Sequence, residues 1–240
     1  MIQTVFSVGW SIMFQYQDYN LKIKYNLEKE NNMLKIFSFT LLIISFVLIS
    51  CAKKDDDSSS STITYGSSTS GATASGSITI GSDTISGTYA TACGASSGFS
   101  TFPTDATHAS IIIVVTGDDS FTKELNFYTD STCTASVLSA GWYFTNDNGT
   151  IGDLSGSDYK VTYTEENFAI LANTTAGETY YEAMFSSCCS IDLTVGTKKV
   201  VTTGATKYNL VRVSGNNLYL GDPSTSAYPS TGGEAAYVKQ

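Results

Sequence analysis

KYNLVRVSGNNLYLGD, residues 207–222, decides the fold. Two runs that alternate apolar and polar residues flank Ser214-Gly215-Asn216-Asn217. Alternation with a period of two marks a strand with one face turned inward. Gly and Asn tolerate the positive φ that a tight hairpin demands, so the segment reads as two antiparallel strands and their turn. Similar runs extend toward the N-terminus: SITI (77–80), TISGTYATAC (84–93), ASIIIVVTG (109–117), KELNFYTD (123–130), SVLSAGWYFT (136–145), SDYKVTYT (157–164) and SIDLTVGTKKVVTT (190–203). Ile111 to Val115 are five consecutive β-branched aliphatics, the residue type that suits a pleated, buried surface. Gly117-Asp118-Asp119-Ser120 and Asn146-Asp147-Asn148-Gly149 read as further turns. Between Glu165 and Ser187, NFAILAN and ETYYEAMF fit either strands or one short helix. No internal repeat stands out.

Eight or nine antiparallel strands must avoid leaving long open edges. They can close into an up-and-down barrel or pair as a β-sandwich. Consecutive hairpins without long crossovers favour an all-β barrel of about eight strands, with the sandwich as the alternative. The folded domain is expected from residue 78 to 240.

Composition narrows the function. The chain has 240 residues and a net charge of -9, with 13 Lys+Arg against 22 Asp+Glu. The net negative charge argues against a nucleic-acid binder, because phosphate contacts need Lys and Arg, and Arg occurs once, at Arg212. A single His excludes multi-His metal sites. Hydrophobic residues make up 42%, enough for a core. Ser (33) and Thr (32) together exceed a quarter of the chain.

Residues 36–50, IFSFTLLIISFVLIS, run 15 residues without a charge. A membrane span needs about 20 residues, whereas the apolar region of a secretory signal is this short. Lys35 supplies the positive flank and Met33 a start residue. The run ends in Leu48-Ile49-Ser50-Cys51, which resembles a bacterial lipobox. That resemblance implies cleavage before Cys51, diacylglycerol on its sulfur and acylation of its new amino group. Two or three acyl chains hold a protein where one holds it only marginally. The expected partner of Cys51 is therefore membrane lipid, and the expected location the cell envelope, on a bacterial outer membrane at its periplasmic or surface face. Residues 1–32 precede this signal and read as a non-native N-terminal extension, with residues 33–50 the lipoprotein signal peptide. The chain from Cys51 onward carries nine Lys+Arg and nineteen Asp+Glu, a net charge of -10. Residues 51–77 contain the Lys53-Lys54 and Asp55-Asp56-Asp57 charge block, then mostly Ser, Thr and Gly. With only Ile63 and Tyr65 as sizeable apolar groups, this segment reads as a flexible tether behind the lipidated Cys51.

Five Cys are present, and with Cys51 lipidated four remain. Cys93, Cys133, Cys188 and Cys189 allow three pairings. Adjacent Cys188 and Cys189 pair with each other only through a strained ring. They also lack the CxxC spacing of a zinc site.

SGTYATAC, FYTDSTCTAS, YNLVRVSGNNLYLGD and the final Tyr237-Val238-Lys239-Gln240 follow one another in an order that resembles small bacterial lipoproteins with lipocalin-like (calycin-type) barrels. The resemblance covers about 150 residues and rests on ordering. It implies an opening-strand Cys paired with the Cys after the Tyr-x-Asp turn, hence Cys93–Cys133, with Cys188 and Cys189 vicinally bonded or free. Closing a loop of about 40 residues contributes about 4 kcal/mol.

Candidate chemistry is sparse. His108, following Asp105, is the one possible triad histidine, and no G-x-S-x-G elbow accompanies it. GSDT (81–84) and GASSG (94–98) read as Ser-rich loops. The acidic stretch 146–153 fails the EF-hand pattern, with Phe144 in the first ligand position and Ser155 in the last. Glu165 and Glu166 are adjacent on a strand and point to opposite faces, which suits no glycosidase pair. No cofactor, metal site or enzymatic activity is expected. Tyr89, Tyr128, Trp142, Tyr143, Phe144, Tyr159, Tyr163, Tyr180, Tyr181, Tyr208 and Tyr219 are spread over the strands. Those that face inward either fill the core or line a cavity for a small apolar ligand. The expectation is a non-enzymatic, membrane-anchored exported lipoprotein that binds such a ligand. A surface adhesin contacting an envelope or host protein, and an envelope hydrolase, are the alternatives.

Overall fold

The computed structural model describes residues 63–186 and 191–240. The extension, the signal peptide, Cys51, Cys188 and Cys189 lie outside the described residues. Strand β1 (Ile78–Ile80) and β2 (Asp83–Ile85) form a separate hairpin. Then follow β3 (Thr88–Ala90), β4 (Gly94–Ala95), β5 (His108–Val115), β6 (Phe121–Tyr128), β7 (Leu138–Ser155) and β8 (Asp158–Ala172). Helix α1 (Thr175–Phe185) leads on to β9 (Lys199–Ser214), β10 (Asn217–Leu220) and β11 (Ala236–Lys239).

Each strand from β5 to β11 pairs antiparallel with its successor. Strand β3 pairs with β11 on one side and β5 on the other. This closes an eight-stranded up-and-down barrel, with β4 as an extra strand on β5. Closure settles the choice between barrel and sandwich. The β9–β10 turn has Gly215 at φ 58°, with open space around it. Glycine is required there by backbone conformation alone.

Alternation along each strand sets the inner face. Across β5, β6, β7 and β8 the register aligns Ile113, Lys123, Phe144 and Phe168 in one row, and Ile111, Leu125, Trp142 and Ile170 in the next. The β1–β2 hairpin brings Ile78, Ile80 and Ile85 into one buried cluster with Ile113, Phe121, Val161 and Leu218, and so plugs one end of the barrel. Helix α1 packs Tyr181 and Phe185 against Trp142, and Tyr180 against Phe127, and so covers the other end.

The structure corrects three local expectations. Residues 63–77 are no tether. They lie along the outer face of β3, β5 and β6, where Tyr65 and Ala72 cover Ala90, Ile112 and Val114. Ser67 N donates to Cys133 O, and Ser75 N to Val115 O. Low apolar content is no bar to ordering here, because polar donors find a buried acceptor in Glu124, as set out below. Asn146–Gly149 is no turn between strands. Strand β7 runs through it, with a bulge between Asp147 and Thr150 and Asn148 at φ 55°. Bulges accept Asn at positive φ as readily as turns do. In the 190–203 run, only residues from Lys199 onward join the barrel. The uncertain stretch 165–187 resolves into the end of β8 followed by α1.

Candidate functional site

The barrel interior divides into layers. At the hairpin end, aliphatic side chains leave a void of about 30 Å³ lined by Ile80, Ile113, Phe121, Val161 and Leu218 among others. That is about one water's share of liquid, far below the ~300 Å³ of a ligand pocket. This half of the barrel is a packed core.

A polar layer follows. Lys207 Nζ on β9 lies 3.3 Å from Glu165 Oε2 on β8, with both side chains less than a tenth exposed. The two strands put these residues on the inner face two registers apart, with Glu165 paired to Ala205 and Lys207 to Tyr163. Thr203 Oγ1 donates to the Glu165 carbonyl. Asn209 Nδ2 donates to Gly221 O at 2.9 Å, and Asn146 Nδ2 to Phe121 O at 3.3 Å. Burial pushes the Glu165 carboxyl above its ordinary range, opposed by the Lys207 charge and hydrogen bond. Burial likewise pushes the Tyr163 phenol up, opposed by its hydrogen bond with Asn209. A paired, hydrogen-bonded charge is the arrangement a barrel interior tolerates.

Beyond this layer, toward α1, the inner face changes character. Lys123, Leu125, Trp142, Phe144 and Val201 lie on the inner face yet remain only half-buried, so this part of the inner face stays open to solvent. Phe168, Phe185 and Tyr181 complete an aromatic wall, with Trp142 contacting Phe144, Tyr181 and Phe185 at centroid separations of 5.1–6.4 Å. Tyr181 is 1% exposed and its hydroxyl has no hydrogen-bond partner. Burial, with Tyr180 adding to it, pushes this phenol well above its usual value, so it stays a neutral donor.

Helix α1 is held where it is by its N-terminus. Thr174 caps it, accepting from Gly177 N at 3.0 Å. Ser139 Oγ lies 2.6 Å from Asp105 Oδ1 and 3.1 Å from Thr174 Oγ1. Asp105, expected as a possible triad member, is thus engaged by a buried serine on β7. His108 Nδ1 pairs instead with its neighbour Thr107 at 2.9 Å. Glu182 Oε1 accepts from Leu193 N, which ties the chain after the helix back to it.

Other expected residues are placed as follows. Cys93 and Cys133 form a disulfide with a Cα–Cα distance of 6.2 Å. Glu165 faces inward, while Glu166 is the residue of β8 left without a partner where its register with β7 shifts between Thr145 and Asn146. Asp118 accepts from Ser77 N, and Asp119 O from Gly149 N, so the acidic turn ties loops together. Among the described residues no group of three His, Cys, Asp or Glu side chains is arranged to hold a metal ion. Of the aromatics, Tyr89, Trp142, Phe144, Tyr159 and Tyr163 share the inner face, whereas Tyr128, Tyr143, Tyr208 and Tyr219 share the outer one. Tyr180 hydrogen-bonds Thr101 O from α1.

Sequence reasoning missed Glu124. It is fully buried on the outer face of β6. Its carboxylate accepts from Ser68 Oγ at 2.6 Å, Thr69 N at 2.8 Å, Ser70 N at 3.2 Å, Ser70 Oγ at 2.5 Å and Asn126 Nδ2 at 3.2 Å. Reading the Ser/Thr run as a set of donors would have required knowing that this acceptor lies opposite it. Lys123 was also missed, since only its register opposite Ile113 and Phe144 puts it on the inner face.

No protein-family model matches this sequence, and no curated protein matches it.

Proposed function

We propose that this chain is a non-enzymatic exported lipoprotein, anchored to a bacterial envelope membrane through acylated Cys51, whose barrel binds a small apolar ligand. The observation that carries the anchor is the order of features: fifteen uncharged residues, then Leu48-Ile49-Ser50-Cys51, then the Lys53–Asp57 charge block. The first hydrogen bond of the described domain, from Cys93 N to Thr64 O, falls thirteen residues past Cys51 and supports that order. Four of the nine strand aromatics named from the sequence face outward, which limits the lining to few residues, yet Trp142 and Phe144 near α1 stay half-buried on the inner face, which supports the ligand. The acidic net charge keeps the domain itself off anionic headgroups, so attachment falls to the acyl chains.

The anchor is tested by growing cells expressing the full chain with radioactive palmitate. Label should enter the protein and vanish in Cys51→Ala. An unlabelled protein, or label that survives Cys51→Ala, overturns the anchor. Native mass spectrometry of the protein from its source cells tests the ligand, with a mass excess that disappears on denaturation as the expected result.

A further inference from the structure

We infer that the half of the barrel next to α1 binds an aromatic carboxylate, its ring against Trp142 and Phe144 and its negative charge met by Lys123. The inference rests on the proposed reading of the barrel as a binding module and gives its ligand a chemical class.

Three observations carry it. First, Trp142, Phe144 and Lys123 face inward in adjacent register rows and yet stay half-buried. Inward side chains of a filled barrel would be sealed, as Ile113 and Val115 are at the other end. Partly exposed aromatic faces favour a flat, apolar body in offset or edge-on packing. Second, Lys123 has no carboxylate within ion-pair distance among the described residues. Its row neighbours are Ile113 and Phe144. A cation placed among apolar groups and lacking a counter-ion is met by an anionic ligand, and the low local polarity strengthens that attraction. Third, the Tyr181 hydroxyl is buried with no partner. Buried donors are rarely left unpaired, and a ligand whose ring parts the Trp142–Tyr181 contact brings this one an acceptor oxygen.

The wall also offers a way in. From Lys199 to Thr206, β9 pairs with β8 on one side. On its other side no described strand pairs with it there, because β10 meets β9 only from Val211 onward. The inner face that carries Val201 is therefore bounded by a strand edge that no described strand covers.

The test is calorimetric titration of the full-chain protein with 2-naphthoate and with its neutral counterpart 2-naphthamide. One site is expected, with naphthoate bound at least about tenfold tighter. Lys123→Met keeps the apolar stem and removes the charge, so it should bring naphthoate down to the affinity of naphthamide while leaving naphthamide within about twofold. Tyr181→Phe should weaken both, since each offers an acceptor oxygen. Circular dichroism checks that each variant keeps its strands, and the comparison of the two ligands on the unaltered protein needs no variant. Equal binding of naphthoate and naphthamide overturns the carboxylate inference and leaves the apolar-ligand reading standing. A naphthoate preference that survives Lys123→Met overturns the role of Lys123. Absence of binding by both compounds overturns the inference and counts against the ligand-binding reading as well.

Discussion

Two residues show how closely the interior is set. At Gly177 an added Cβ would lie 2.6 Å from Ser139 O and 2.7 Å from the Ala140 Cβ. Both are fixed parts of the β7 wall, so they cannot give way. Gly177→Ala should therefore lift α1 and destabilise the protein by about 1–3 kcal/mol. Urea unfolding would show the lower midpoint, and a red shift of Trp142 emission in a Trp10→Phe background would locate it; an unchanged midpoint would contradict close packing of helix on wall. Glu165 behaves differently because its carboxyl is shifted upward by burial. The folded protein then binds this proton more readily than the unfolded chain. Stability from this group is full below the unfolded carboxylate pKa and is lost as the pH rises through the raised folded value. Glu165→Gln cannot titrate. The stability of the unaltered protein relative to Glu165→Gln should accordingly fall from pH 4 to pH 7, as read from paired urea titrations. A difference independent of pH, or one rising with pH, would refute the assignment.

At the scale of elements, the segment 63–77 carries the main lesson. The strands were legible because alternation and β-branched runs such as Ile111–Val115 act locally and need no knowledge of the partner. The Ser/Thr run was read as a tether because it has too little apolar surface to order itself. What orders it is Glu124, 54 residues beyond Ser70 in the chain. Such a contact has no local signature. The Asn146–Gly149 bulge misled for the opposite reason, because its residues carry the local signature of a turn and a longer-range pairing overrides it. Hydrogen bonds to a charged acceptor contribute about 1.5–3 kcal/mol each when they are lost singly, and they are not additive. Glu124→Ala should release residues 64–77 and expose Ile112 and Val114. Hydrogen exchange at the Thr69 and Ser70 amides should accelerate at least about tenfold, beyond any change at the amides of β7. Equal acceleration across the barrel would mean that Glu124 supports the whole sheet and not this segment.

For the whole molecule, docking of residues 64–77 sets how far the barrel would stand from a membrane under the proposed acylation of Cys51. Barrel closure itself was legible, since a meander of eight or nine strands must resolve its edges. The number of chain steps between Cys51 and the barrel was not, because it depends on Glu124. With Cys51 acylated as proposed and Thr64 O accepting from Cys93 N, thirteen chain steps separate the anchor from this first described contact with the barrel. In any conformation they span at most about 45 Å. Release of the docked segment moves the junction to Ile78, and the limit becomes about 90 Å. Neutron reflectometry of the acylated full chain on a supported bilayer should therefore place the inner edge of the protein layer within about 45 Å of the headgroups. Glu124→Ala should spread that layer outward while the amount bound stays constant, because the acyl chains are untouched. A layer beginning beyond 45 Å in the unaltered protein would mean either that attachment is not at Cys51 or that the segment does not stay docked. The two are separable: Cys51→Ala abolishes binding only if the anchor lies there, and the Thr69 and Ser70 amides remain protected only if the segment is in place.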